Sequence, residues 1–276
     1  RLPTAHLRTV AERRTDMARE WIAILGASSG FGAATARAFA AAGYGVFGVH
    51  LDRRSTMPAV EALIAEIEGH GVPVLFHNGN AASDEEMAAA LDALRERMEP
   101  DDRVGVLLHS LAFGTLRPFF VDDGKPLTRK QLDMTLDVMA NTLVYWSQAL
   151  VQRELLREGG RIFAMTSSGS LAAWQAYGAV SAAKCALESH VRQLAVELAP
   201  RRITANAIMA GVTHTAALEK IPGADEISRR ALERNPSGRL TVPEDVATCL
   251  VALSGPGTSW MTGNVIRVDG GESVAG

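Results

Sequence analysis

The chain has 276 residues, 47% of them hydrophobic, which suits one large α/β domain or two small ones with a sizeable core and excludes a disordered chain. The 28 Lys and Arg against 31 Asp and Glu leave a net charge of −3, and no basic run marks a nucleic-acid surface. The longest apolar run, near residue 40, is far too short to span a bilayer, and Cys185 and Cys249 lie far apart without metal-ligand spacing, which implies a reduced, cytoplasmic protein.

Residues 1–20 carry Arg1, Arg8, Arg13, Arg14 and Arg19 against Glu12, Asp16 and Glu20, with no apolar stretch of a secretory signal. Two readings stand: a loose extension, or an arm that packs on a neighbouring subunit. From residue 21 a regular pattern begins. "WIAILG" (21–26) reads as a buried strand and "AATARAFAAAG" (33–43) as a helix that Gly43 ends. "YGVFGVH" (44–50) is a second strand. Residues 58–71 form a helix with Val60, Leu63, Ile64 and Ile67 at helical spacing. "VPVLFHN" (72–78) is a third strand. Residues 83–98 form a helix with a Ser cap and acids in the first turn. "RVGVLLHS" (103–110) is a fourth strand, followed by a helix over about 129–156, a strand at 161–167, a helix at 176–199 and a strand at 203–209. Polar sequence fills 211–240, a short helix covers 243–254, and 263–271 is the last strand. Strands alternating with helices predict βαβ units, a parallel sheet and a single domain over residues 21–276.

"GASSGFG" joins the first strand to the first helix, with Gly26, Gly30 and Gly32 in a G-x-x-x-G-x-G spacing. A tight turn without Cβ atoms, opening a helix whose free N–H groups face outward, is suited to a pyrophosphate. The plain alternative is a strand–helix turn with no ligand. At the end of the second strand an acid would accept hydrogen bonds from an adenosine ribose. His50 stands there, followed by Asp52, Arg53 and Arg54. Two guanidiniums suit a 2′-phosphate and favour NADPH; Asp52 keeps NADH open, and both arginines could simply be solvated.

"YGAVSAAKC" holds Tyr177 and Lys184 seven residues apart. At about 100° per residue, spacings of four and of seven both keep a pair on one helix face, but the axial separation grows from about 6 Å to about 10.5 Å. Without other motifs, such a pair is ordinary.

These segments together resemble the short-chain dehydrogenase/reductase family over about residues 21–272, a doubly wound Rossmann-type domain with a seven-stranded parallel sheet. "GASSGFG" resembles the family's first-turn motif, which implies cofactor contacts from Gly26, Ser28, Ser29, Gly30, Phe31 and Gly32. The resemblance places His50, Arg53 and Arg54 at the adenosine end, and Asn80 and Ala81 of "HNGNAA" beside adenine. "LLHSLAFG" stands where most members have Asn-Asn-Ala-Gly, which puts His109, Ser110 and Leu111 beside the cofactor, with a structural role for His109. "NAIMAGVTHT" resembles the segment that holds the nicotinamide carboxamide. It implies Gly211, Val212, Thr213 and Thr215, with Val212 in place of the usual proline. "VIRVDGG" resembles the terminal strand.

Three departures narrow the resemblance. Most members carry the catalytic Tyr four residues before the Lys, and here that position is Val180. An active-site Asn of many members aligns with Met139, with Asn141 close by. "HSLA" replaces Asn-Asn-Ala-Gly at 109–112. Tyr at minus seven with this motif, and "TAALEKIPGADE" (215–226), are similar to the NADPH-using enoyl-acyl-carrier-protein reductase branch.

The resemblance therefore implies a catalytic Tyr177 and Lys184, with Lys184 also holding the nicotinamide ribose, and an acyl thioester substrate carried on acyl carrier protein or another carrier. It also implies a homotetramer or homodimer with neither membrane nor nucleic-acid partner and no metal. Ser167, ten before Tyr177, is either a third catalytic group or a strand-end turn serine. Trp174, Phe113, Leu116 and Phe119 line an acyl channel or belong to the core, and Cys185 is expected to pack inward. A carbonyl or 3-ketoacyl reductase, and a weakly catalytic NADP(H) sensor, are the competing functions.

Overall fold

The computed structural model describes residues 18–275; the reading of an extension over 1–17 falls outside them. Seven parallel strands run in the order β3-β2-β1-β4-β5-β6-β7: β1 (Glu20–Leu25), β2 (Gly45–His50), β3 (Val74–Asn78), β4 (Arg103–His109), β5 (Leu156–Thr166), β6 (Thr204–Ala210) and β7 (Val265–Val268). Helices α1 (Gly30–Ala41), α2 (Met57–Glu68), α3 (Asp84–Arg97), α4 (Arg129–Leu136), α5 (Thr142–Gln152), α6 (Gly178–Glu197), α7 (Ala224–Arg234) and α8 (Pro243–Leu253) make the crossovers and cover the faces. None of the described helices is long and apolar enough to cross a membrane.

The strand pleat divides the core. Trp21, Ala23 and Leu25 of β1 pack with α3, α5 and α6, whereas Ile22 and Ile24 face α1 and α8. Both faces of β1 are dry, which is why its sequence is a continuous apolar run. The chain winds outward from β1 to β3, then returns to β4 on the other side. This reversal opens a crevice at the carboxyl ends of β1 and β4.

Four elements differ from their predicted form. β1 starts at Glu20, inside the stretch read as an extension. β5 starts at Leu156 rather than 161, because Leu156 pairs with Val104 across a bulge that the polar Arg157–Gly160 stretch conceals. The helix expected over 129–156 is broken by a π-turn at Asp137–Asn141 and ends at Gln152. Helix α7 lies in the polar stretch read as irregular. Its sequence is mostly charged, but Arg229 pairs with Glu226 and Glu233, and Arg230 with Glu226, at helical spacing.

Candidate functional site

At the first βα turn, Gly26 adopts φ +87°, a conformation that favours glycine. A Cβ there would lie 2.5 Å from the carbonyl oxygen of Ser110, near the Leu111 side chain, and one on Gly32 would lie 1.9 Å from the Gly26 carbonyl. The bare backbone of this turn therefore packs against the exit of β4, where the Ser110 N–H donates to the Leu25 carbonyl at 2.8 Å. Ser29 is the N-cap of α1, yet its side chain makes no capping bond, so the first-turn N–H groups lack a side-chain acceptor. Thr215 from the β6 exit packs 3.5 Å from the Cβ position of Gly30. Gly26, Gly30, Gly32, Ser110, Leu111 and Thr215 thus meet at one helix N-terminus. Phe31 is half-buried against the core.

The end of β2 gathers a polar cluster. His50 is buried, and its Nδ1 lies 2.9 Å from Asp52 Oδ2. The Thr56 hydroxyl donates to Asp52 Oδ1 at 2.7 Å. Partial burial works against the Asp52 carboxylate, but hydrogen bonds from Ser28, Thr56 and His50 outweigh it and hold its pKa below the ordinary value. Arg53 and Arg54 are exposed beside it. Asn80 is exposed, with Oδ1 accepting the Ala82 N–H at 3.0 Å; Ala81 is buried, and its carbonyl accepts from Trp146 Nε1 at 2.8 Å. Asn78, which sequence reasoning missed, bonds the backbone N–H and carbonyl of Asp52 through its carboxamide.

Tyr177 is the N-cap of α6 and only 9% exposed. Its carbonyl accepts the Ser181 N–H at 2.9 Å, which fixes it to the helix axis. Its ring meets Trp174 edge-to-face, with centroids 5.5 Å apart, and Phe119 packs over Gly178, where a Cβ would lie 2.4 Å from the Phe119 ring. Burial pushes the phenol pKa up, and a hydrogen bond from Ser167 opposes this. Ser167 also accepts the Gly169 N–H, at 3.3 Å, so it both caps the strand end and faces the phenol. Of the residues read as channel or core, Leu116 packs on the core while Phe113 is exposed.

Lys184 is buried and donates from Nζ to the Met165 carbonyl at 2.8 Å. Burial lowers its pKa to about 8, against the opposing charge of Glu188. Glu188, one turn further along α6, is held by the Thr166 hydroxyl at 2.6 Å. Cys185 does not pack inward. It is exposed and its thiol reaches the Ser170 carbonyl at 3.4 Å, because one residue of rotation carries it off the strand-facing side that Lys184 occupies.

Val180 and Met139 are buried and both line Gly114. A Cβ on Gly114 would lie 2.7 Å from Met139 Sδ and 2.9 Å from Val180 Cγ2. Asn141 instead bonds His190 Nε2 through Oδ1 at 3.2 Å. His109 is fully buried, and burial, with the nearby Lys184 charge, lowers its pKa to about 3. The Thr142 hydroxyl donates to the Val138 carbonyl at 2.8 Å, so it accepts from His109 Nε2, also at 2.8 Å, and His109 is neutral. It fastens β4 to the π-turn.

Beyond β6, the Gly211 N–H donates to the Val268 carbonyl at 3.2 Å and the Thr213 hydroxyl to the Gly211 carbonyl at 2.9 Å. The Cβ-free cradle at Gly26 and Gly32, the uncapped start of α1 and the approach of Thr215 fit a dinucleotide laid across the crevice.

A family model described as Enoyl-(Acyl carrier protein) reductase matches residues 26–273. The chain belongs to the short-chain dehydrogenase/reductase family. This short-chain dehydrogenase/reductase is an oxidoreductase of a family that binds NAD(P)H. It is 30% identical, over 204 residues, to the enoyl-[acyl-carrier-protein] reductase [NADH] of Nostoc sp., covering 74% of this chain and 77% of that protein. It is 31% identical, over 256 residues, to the 3-oxoacyl-[acyl-carrier-protein] reductase of Aggregatibacter actinomycetemcomitans, covering 91% and 98%. Its fold superposes on the 3-oxoacyl-[acyl-carrier protein] reductase of Brucella melitensis in complex with NAD with a TM-score of 0.81, at 24% identity, over 94% of this chain and 100% of that one.

Proposed function

We propose that this short-chain dehydrogenase/reductase reduces the 2,3 double bond of an enoyl thioester with NADPH. The observation that carries the reading is the apolar, buried setting of Val180, which lines Gly114 together with Met139. The position four before Lys184 has no proton to give, and the buried phenol sits one turn earlier. Bound NADPH would supply a hydride for the β carbon of the substrate, and the negative charge would then develop at the thioester oxygen. Tyr177, kept neutral by burial, donates to that oxygen. Lys184 would hold the nicotinamide ribose hydroxyls, and its positive charge lies on the same helix face. Ser167 orients the phenol. Exposed Trp174 and Phe119 flank Tyr177 and border the acyl group.

Arg53 and Arg54 support the choice of NADPH; the ionised Asp52 and the NADH named for the Nostoc relative argue the other way. The proposal extends to an acyl group carried on acyl carrier protein or coenzyme A, and to a cytoplasmic homo-oligomer as the working form. A second reading, reduction of a 3-ketoacyl group, is favoured by the Aggregatibacter relative.

NADPH oxidation with crotonyl- and acetoacetyl-thioesters separates the two: turnover of crotonyl substrate is expected, and turnover of acetoacetyl substrate alone overturns the enoyl reading. Loss of the proton donor in Tyr177→Phe should lower kcat at least about 10²-fold with cofactor Kd unchanged. Replacing Arg53 and Arg54 with Ala removes charge-assisted bonds and should weaken NADPH binding by about tenfold or more while sparing NADH. Equal loss for both cofactors removes the phosphate role.

A further inference from the structure

The backbone of Val212 has a partner from far along the chain. Its N–H donates to Glu272 Oε2 at 3.0 Å, across 60 residues of sequence. The contact is close enough that a Cβ on Gly211 would lie 2.9 Å from the same oxygen and 2.4 Å from the Thr241 hydroxyl. Glu272 is held in place independently of that bond. Asp269 accepts the N–H groups of Gly271 and Ser273, at 3.0 and 3.1 Å, and so builds the turn that presents Glu272. Arg234 of α7 donates to the Glu272 carbonyl at 3.2 Å. Burial raises the Glu272 pKa; the hydrogen bond from the Val212 N–H opposes this, the Asp269 charge adds to it and Arg234 opposes it. In either protonation state an Oε atom can accept from Val212.

The need for this acceptor follows from the residue at 212. A proline, which the family resemblance implies at this position, has no N–H to satisfy. Valine brings a half-buried donor and frees φ, so the segment gains both an unpaired group and a degree of freedom. We infer that Glu272 is a positioning residue that replaces the missing proline ring, fixing Gly211–Thr213 so that its backbone presents one orientation to the nicotinamide end of the cofactor. The inference rests on the reading that this segment holds the carboxamide. Glu272 touches the segment, not the reacting atoms.

The test compares binding of NADPH with binding of 2′-phospho-ADP-ribose, which lacks the nicotinamide, by titration calorimetry. Removing one such hydrogen bond is worth about five- to tenfold in affinity. Glu272→Ala should therefore raise the Kd of NADPH by about that factor and leave the fragment within about twofold. Glu272→Gln, which keeps an acceptor, should restore NADPH binding. In a Val212→Pro background, Glu272→Ala should change the NADPH Kd by less than about twofold, since the donor is gone and the ring restrains φ. Equal weakening of NADPH and fragment would make Glu272 a latch of the fold alone, and no change in either would remove its role; both overturn the inference. If Glu272→Ala does not fold, the Gln variant decides: weakened NADPH binding with a retained acceptor overturns the inference. Failure of the unaltered protein to bind the fragment, NADPH or NADH overturns the dinucleotide reading itself, and with it this inference.

Discussion

Lys184 and His109 are buried within one electrostatic neighbourhood, and burial acts on both in the same direction. Burial pushes the Lys184 pKa down, Glu188 offsets part of that desolvation, and the Thr166 hydroxyl holds Glu188 in place. Below pH about 8 Lys184 is charged in both the folded and the unfolded chain. From there to its ordinary value of 10.5 the folded chain has released a proton that the unfolded chain keeps. The unfolded state binds more protons across that window, so the contribution of Lys184 to stability rises with pH. The urea midpoint of the wild type should gain on that of Lys184→Met between pH 7 and 10, and a pH-independent difference would refute the shift. Tyr177 and Lys184 were legible in the sequence because a helix face can be counted. Glu188 had the signal of an acid four residues after the lysine. Asn78, Thr142 and Glu272 had none, because their partners lie 26, 33 and 60 residues away and only folding sets those distances.

At the scale of elements, the join between α4 and α5 matters most. The π-turn at Asp137–Asn141 places Met139 beside Gly114, which Val180 also lines, and turns Asn141 toward His190. Periodicity shows a continuous helical stretch here; a one-residue widening leaves the pattern of apolar residues nearly intact, so the break is invisible until the turns are built. This packed setting predicts that moving the phenol back will fail. Val180→Tyr overpacks the buried site and should cost about 1–3 kcal/mol in stability. In a Tyr177→Phe background it should restore no enoyl reduction, as read by NADPH oxidation. Helix α7 was missed for a different reason: its support is charge pairing on an exposed surface rather than an apolar stripe.

At the scale of the whole molecule, the first strand is the hub. Asp102, before β4, accepts from the Arg19 N–H at 2.8 Å, from the indole of the fully buried Trp21 at 3.0 Å and from the Glu99 N–H at 3.2 Å. Asp102→Ala strands these donors and should lower stability by about 2–3 kcal/mol, seen as a lower urea midpoint with unchanged slope. Asp102→Asn, which keeps one acceptor oxygen, should lose less. By itself the sequence determined the alternation of strands and helices, the parallel sheet, the glycine turn and the spacing of Tyr177 from Lys184, because each depends on local geometry and solvent partition. The tertiary structure alone decided which groups surround them: Ser28 on Asp52, Thr215 over Gly30, Met139 and Val180 at Gly114 and Glu272 on Val212. Those pairings depend on strand order and crossover packing, where residues remote in the chain are brought together by burial of the sheet's two faces rather than by any pattern within one segment.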